Sequence, residues 1–145
     1  MPRIVDFRIH TATSRESKPI ADATHTISEI SFFVVELDLD TGERGQGYLL
    51  AFDYSREAVR GTLRDMRNFL LARPYEAHET LRLLEDWDAA TEYFGTRGLQ
   101  RWAGAVTNLA MWDAWARHLR VPIGKLFGSN ASRIPLYGSG GWLSY

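Results

Sequence analysis

The chain has 145 residues, the size of one ordinary domain, and its 45% apolar and 24% charged residues exclude a disordered or fibrous protein. Its net charge is -1, with arginines interleaved among acidic residues, which argues against the basic face of a nucleic-acid-binding protein. The chain has no cysteine, no signal-peptide pattern and no stretch approaching the roughly 18 apolar residues of a membrane span, so we expect a cytoplasmic protein without thiolate metal sites or a membrane partner.

The first third of the chain predicts an antiparallel sheet. Ile4 to Ile9 favours a first strand, and Ile30 to Leu39, dense in Phe and Val, favours a second. Asp40 to Glu43 is typical of a turn, after which Arg44 to Phe52 returns as a third strand. The polar stretch Thr13 to Ser28 is predicted to be a long loop, either functional and mobile or simply a disordered connection.

Helical periodicity follows the strands. Ser55 is placed to cap a first helix that Pro74 ends, and a second helical pattern covers roughly residues 77–93, with Leu81, Leu84 and Trp87 on one face. A third and strongest helix carries an apolar stripe of Trp102, Ala105, Val106, Leu109, Trp112, Ala116 and Leu119. Strands followed by segregated helices predict an α+β domain, a three-stranded antiparallel sheet with a helical bundle.

The pattern at the end of the chain predicts the first strand of a further domain. A hydrophobic connector, Val121 to Gly128, precedes an apolar strand from Arg133 to Tyr145 that has no predicted partner. We expect such a strand to lead into a larger fold. Alternatively, the chain is a free-standing interaction module that uses Ile134 to Tyr145 to add a strand to a partner protein.

Few residues carry recognisable chemistry. The four histidines lack the spacing of a metal site, and among them His25 is distinguished by its place in the predicted loop. Ser139 has no histidine base at a recognisable elbow, and Gly138 to Gly141 is weak evidence for a phosphate cradle without a following helix. We therefore predict no catalytic residue and no metal ligand in this chain.

Three blocks, in order, resemble the mandelate racemase and muconate lactonizing enzyme branch of the enolase superfamily. They are Gly45 to Phe52, Ala105 to Ala116 and Val121 to Gly128. The resemblance covers nearly the whole chain. It implies that residues 1–128 are an N-terminal capping domain and that residues 129–145 begin a truncated (β/α) barrel, which in full needs about 250 residues.

The resemblance also implies a place for the active site. In this family two loops of the capping domain, here Thr13 to Ser28 and the stretch around Tyr48 to Tyr54, cover the barrel mouth and shape substrate choice. His25, Phe52 and Ser139 are the substrate-binding residues that we predict on this basis.

The reaction implied by the resemblance begins with removal of the proton α to a carboxylate, in a racemase or an acid-sugar dehydratase. Bound Mg²⁺ stabilises the resulting enediolate, because so weak an acid needs a cation to meet the developing charge. The family's metal ligands and bases lie on later barrel strands, so we expect this chain alone to bind no catalytic Mg²⁺ and to be inactive. The implied partners are a small carboxylate, such as a 2-hydroxy acid or acid sugar, and further copies of the intact enzyme.

Overall fold

The computed structural model of the chain describes residues 1–52, 54–95 and 97–138. Three strands, β1 (Ile4–Ala21), β2 (Thr26–Leu39) and β3 (Arg44–Ala51), form an antiparallel sheet in the order β1-β2-β3. The turn between β2 and β3 includes Gly42, whose φ of 98° favours glycine. The predicted three-stranded antiparallel sheet is confirmed.

The prediction of a long loop from Thr13 to Ser28 is wrong. Strand β1 continues far beyond Ile9, and β2 begins at Thr26, so only residues 22–25 connect the two strands. Cross-strand polar pairs hold this hairpin together: the Thr13 and Ser31 hydroxyls lie 3.0 Å apart, and Arg15 Nε donates to Glu29 at 2.6 Å. Strand β3 pairs with β2 only from residue 31 onward, so the polar sequence reflects two strands that extend past the core.

The helices cover one face of the sheet. They are α1 (Arg56–Leu71), α2 (Thr80–Ala90), a 3₁₀ turn (Glu92–Phe94), α3 (Leu99–Leu119) and the short α4 (Ile123–Leu126). Alternate residues of β2, among them Phe33, Val35 and Leu37, are completely buried beneath these helices. The opposite face carries charge, with Arg8 donating to Asp38 at 2.7 and 2.9 Å. The predicted order of sheet and helices is therefore confirmed.

The buried face of α3, which packs closely on β3, differs from the predicted apolar stripe. Of that stripe, Trp102, Leu109 and Leu119 are 48%, 52% and 40% exposed. The buried side of α3 consists of five alanine or glycine residues and three larger ones, namely Ala103, Gly104, Val106, Thr107, Ala110, Met111, Ala114 and Ala116. Because Gly45 and Gly47 of β3 lie directly against its backbone, the helix turns its small residues inward and leaves large ones outside.

Two details of the first helices also differ from the sequence predictions. Ser55 precedes α1, but its left-handed backbone (φ 66°) leaves its side chain without a capping hydrogen bond to the helix. Helix α2 is shorter than predicted and buries Leu83 and Trp87, whereas Leu81 is 66% exposed. The buried face of α2 therefore includes Trp87 as predicted, and the assignment of Leu81 to that face is wrong.

The predicted terminal strand does not form within the part of the chain that the structure describes. Residues 129–138 follow α4 without regular secondary structure, and Ile134, Leu136 and Tyr137 are exposed. The remainder, residues 139–145, lies outside the described residues. Over the three described ranges, no helix has both the length and the apolar character needed to cross a membrane.

Candidate functional site

A cavity of about 490 Å³ lies where the β1-β2 hairpin tip meets the chain that leaves β3. The hairpin tip supplies five lining residues, and the segment after β3 supplies Phe52 and Tyr54. The sheet register explains this meeting, because Ser31 pairs with Ala51, so that the chain just past β3 lies beside the residues of β2 that precede Ser31. Two distant parts of the sequence therefore form one pocket.

The carboxylate of Asp22 organises the hairpin tip. Its Oδ1 accepts the backbone N–H groups of Thr24 and His25, both at 2.7 Å, as is common where aspartate closes a tight turn. These backbone hydrogen bonds, that of Thr24 first, lower the pKa of Asp22 to about 2. Asp22 thus remains ionised at neutral pH and fixes the backbone that carries His25.

The imidazole of His25 lines the cavity in a constrained orientation. Its Nδ1 lies 2.7 Å from the Thr24 hydroxyl and 3.3 Å from Asp22 Oδ1. The ring is held from one edge and is still half-exposed. His25 can therefore contact a bound molecule without rearrangement of the turn.

The opposite wall is largely apolar. Phe52 is 37% exposed and Tyr54 is 61% exposed, and Ile27 of β2 lies with them around the cavity. The structure therefore brings the predicted residues His25 and Phe52 to the same pocket. The third predicted residue, Ser139, lies outside the described residues.

An ionic cluster flanks the pocket on the hairpin arm. Glu29 accepts hydrogen bonds from Arg15 and from Arg56 at the start of α1. These contacts, that of Arg56 first, lower the pKa of Glu29. Both guanidinium groups are engaged by this carboxylate, and neither lines the cavity.

A larger groove of about 650 Å³ lies elsewhere, between the outer face of the sheet and α3. Its walls are mainly apolar and include Phe32, Tyr48 and Leu109. Among the described residues that line the groove, Asp113 supplies the one carboxylate, and it accepts hydrogen bonds from the backbone N–H of Gln46 and from Arg117 Nε, both at 2.9 Å. The groove is larger than the hairpin-tip cavity, but it lacks the convergent polar groups of a site for a small polar ligand.

The chemistry available at the hairpin-tip cavity is binding and shielding. Within residues 1–52, 54–95 and 97–138, no three His, Cys, Asp or Glu side chains are grouped so as to hold a metal ion. The residues that line the cavity provide hydroxyl groups, an imidazole, a carboxylate and aromatic faces. Such a surface can contact and cover one side of a ligand.

Sequence reasoning missed several residues of this pocket. Asp22, Thr24, Thr26 and Ile27 were covered only by the broad range assigned to a loop. The Asp22-Ala-Thr-His25 run carried a usable signal, since an aspartate side chain commonly closes a turn by accepting the backbone N–H two residues on. That signal would have placed the hairpin tip at residues 22–25.

Comparison with known proteins gives a consistent picture. Residues 5–128 match the model of the mandelate racemase / muconate lactonizing enzyme family, N-terminal domain. The chain is 27% identical over 137 residues to 3,6-anhydro-alpha-L-galactonate cycloisomerase of Streptomyces coelicolor, covering 92% of this chain and 37% of that protein.

Two solved structures share the fold. A mandelate racemase/muconate lactonizing enzyme-like protein from Rubrobacter xylanophilus superposes with a TM-score of 0.86 at 23% identity, covering 99% of this chain and 38% of that one. L-talarate dehydratase from Polaromonas sp. JS666, solved with Mg and L-glucarate, superposes with a TM-score of 0.80 at 22% identity, covering 90% of this chain and 36% of that one. The chain thus spans little more than a third of the length of each of these three proteins.

Proposed function

The chain belongs to the mandelate racemase / muconate lactonizing enzyme family as its N-terminal domain, and from this premise we propose that it caps the active site of a longer acid-sugar enzyme. That enzyme, a racemase, dehydratase or related isomerase, removes the proton α to a substrate carboxylate. The observation that carries the proposal is the cavity shared by the hairpin tip and the chain after β3. Family membership also favours this hypothesis over a free-standing interaction module.

We assign the capping role to residues 1–128 and the beginning of the barrel domain to residues 129–145. His25 and Phe52 contact the part of the substrate that points away from the reacting carbon, and Ser139 is proposed to contact it from the first barrel strand. A cap of this kind positions the substrate and excludes water, and both effects lower the barrier to forming charge at the reacting centre.

The proposal includes Mg²⁺ in the intact enzyme, since L-talarate dehydratase, which shares this fold, was solved with Mg. The described residues of this chain provide no group of three metal-ligating side chains. We propose that the metal ligands and the catalytic bases lie on the barrel, as the family resemblance implies. This domain contributes binding, orientation and the exclusion of solvent.

The substrate in this proposal is a small carboxylate such as a 2-hydroxy acid or an acid sugar. The similarity to an anhydrogalactonate cycloisomerase and to a talarate dehydratase supports that chemical class. We propose further that the intact enzyme is a cytoplasmic homo-oligomer that binds neither nucleic acid nor membrane.

Exchange of the α proton tests the proposed reaction. The intact enzyme is incubated in D₂O with a panel of acid sugars, with and without Mg²⁺, and proton NMR follows loss of the α-proton signal. We expect magnesium-dependent exchange or dehydration for at least one member of the panel. Absence of both across the panel, with the enzyme folded, would contradict the proposed activity.

Replacement of Phe52 tests the role of the cap. Phe52→Ala removes an aromatic wall of the cavity and is expected to lower kcat/KM about tenfold, since pocket contacts of this size contribute roughly that discrimination. Phe94→Ala is the matched control, because Phe94 is 72% exposed on the 3₁₀ turn and does not line the cavity. Equal kinetics for the two variants across the panel would remove Phe52 from the site.

A further inference from the structure

The described residues that line the hairpin-tip cavity supply no fixed positive charge. Among them, Asp22 supplies a carboxylate and His25 is charged only when its ring is protonated. The His25 ring lies against the Asp22 carboxylate, so a protonated ring is compensated by that carboxylate and a neutral ring leaves it uncompensated. The pair therefore contributes a net charge of zero or minus one.

The arginines nearest in sequence lie outside the cavity. Arg15 and Arg56 share the carboxylate of Glu29, which leaves that cluster with one net positive charge, but neither guanidinium lines the cavity where it could bind a ligand group directly. No lysine or arginine lines the cavity in the part of the chain that the structure describes. A second carboxylate placed here would thus meet the Asp22 carboxylate with no lysine or arginine in the described lining to bind it.

The remaining lining suits an uncharged group. Ile27, Phe52 and Tyr54 form an apolar wall. Thr26 adds a hydroxyl group beside it, whereas the Thr24 hydroxyl already donates to Asp22. Hydroxyl and imidazole groups can exchange hydrogen bonds with an alcohol, and aromatic faces pack well against the C–H face of a polyol chain. The pocket is therefore matched to a neutral hydroxylated or apolar tail.

We infer that the enzyme takes monocarboxylate substrates, with their uncharged end in the hairpin-tip cavity, and discriminates against dicarboxylates. This inference rests on the proposed function, because it requires the cavity to face the far end of a bound acid sugar. Aldonates, which end in a hydroxymethyl group, are then preferred over the aldarates of the same configuration, which end in a second carboxylate.

The test compares kcat/KM of the intact enzyme for matched aldonate and aldarate pairs of five and six carbons. We expect the aldonate to be preferred by at least about tenfold in the pair that is turned over best. Asp22→Asn keeps the Oδ1 acceptor that closes the turn and removes the charge, so it should narrow this preference about fivefold, as expected for one repulsive charge at short range near water. Higher ionic strength should also narrow the preference of the wild type, and have less effect on the variant.

Two further variants separate the effect of charge from any change in the turn that Asp22 closes. Thr26→Lys places a cation in the cavity without altering Asp22, and should shift the preference toward the aldarate. Asp65→Asn removes an exposed carboxylate from α1, away from the cavity, and should leave the preference unchanged.

A wild-type preference for aldarates would overturn the inference, and so would a preference that neither Asp22→Asn nor Thr26→Lys moves. If Phe52→Ala still lowers kcat/KM in that case, the capping function stands and the substrate assignment alone is wrong. If no acid sugar is turned over, or Phe52→Ala behaves like Phe94→Ala, the proposed function fails and the inference fails with it.

Discussion

Replacement of Gly45 by alanine tests the packing that positions the candidate site. A Cβ at Gly45 would overlap the backbone oxygen of Ala110 and the backbone nitrogen of Ala114, and would lie 2.6 Å from Ala114 Cβ. These atoms belong to a helix and not to the end of a flexible side chain, so α3 must move away from β3. Overpacking of this kind costs about 1–3 kcal/mol, and the backbone overlap puts Gly45→Ala at about 3 kcal/mol.

Urea and thermal unfolding of the 145-residue chain, followed by circular dichroism, measure this effect. For a chain of this size, about 3 kcal/mol corresponds to a fall in Tm of roughly 9 °C. Gly61→Ala is the matched control, since Gly61 lies within α1 and a Cβ there meets no atom within 4 Å. It should gain about 0.5–1 kcal/mol from the higher helix propensity of alanine. A Gly45→Ala variant as stable as the wild type would refute the close contact between β3 and α3.

Two further predictions concern ionisable groups. Tyr75 is completely buried and its hydroxyl donates to Asp86 Oδ2 at 2.7 Å, so Tyr75→Phe should cost about 1–2 kcal/mol in urea unfolding. Burial raises the pKa of Tyr75 to about 12, so the wild type should lose stability as pH rises from about 10 toward 12, and Tyr75→Phe should lack this loss. Hydrogen bonds from Arg8 and Arg44 lower the pKa of Asp38 from 3.8 to about 2, so its contribution is complete above the higher value and disappears as pH falls toward the lower one. The free energy of unfolding of Asp38→Asn should therefore depend less on pH over that interval than that of the wild type. An identical pH dependence for variant and wild type would contradict the ion-pair assignment.

The fold class was predictable because short, local sequence patterns indicate it. The run of Phe and Val in β2, followed by a turn containing Gly42, indicates a hairpin before any tertiary contact is considered. The length of the first hairpin was not predictable in this way. Residues beyond the core are exposed on both faces, so β1 and β2 lose their apolar alternation there while cross-strand pairs such as Arg15 with Glu29 keep them extended.

The buried side of α3 shows a different limit. Hydrophobicity alone places Trp102 and Leu109 in the core, but the neighbouring strand carries Gly45 and Gly47 and approaches too closely for large side chains. Glycine at alternate positions of a strand is the sequence signal of such an approach. Read together with the small residues of α3, it would have identified the correct face.

The candidate site was predictable in part. His25 and Phe52 were chosen from their sequence positions and from the family resemblance, and the structure brings both to one cavity. Their role as substrate contacts stays a prediction. The anchoring of His25 by Asp22 depends on a turn only four residues long, and the incorrect loop assignment concealed it.

A structure of the intact enzyme with a bound acid-sugar analogue would show whether this domain faces the substrate. The quantity to measure is the shortest distance between a ligand atom and the Phe52 ring. A substrate-facing cap predicts van der Waals contact, at about 4 Å, with the ligand tail between Phe52 and His25. A ligand bound in the barrel with no atom within about 8 Å of Phe52 or His25 would contradict a substrate-facing cap.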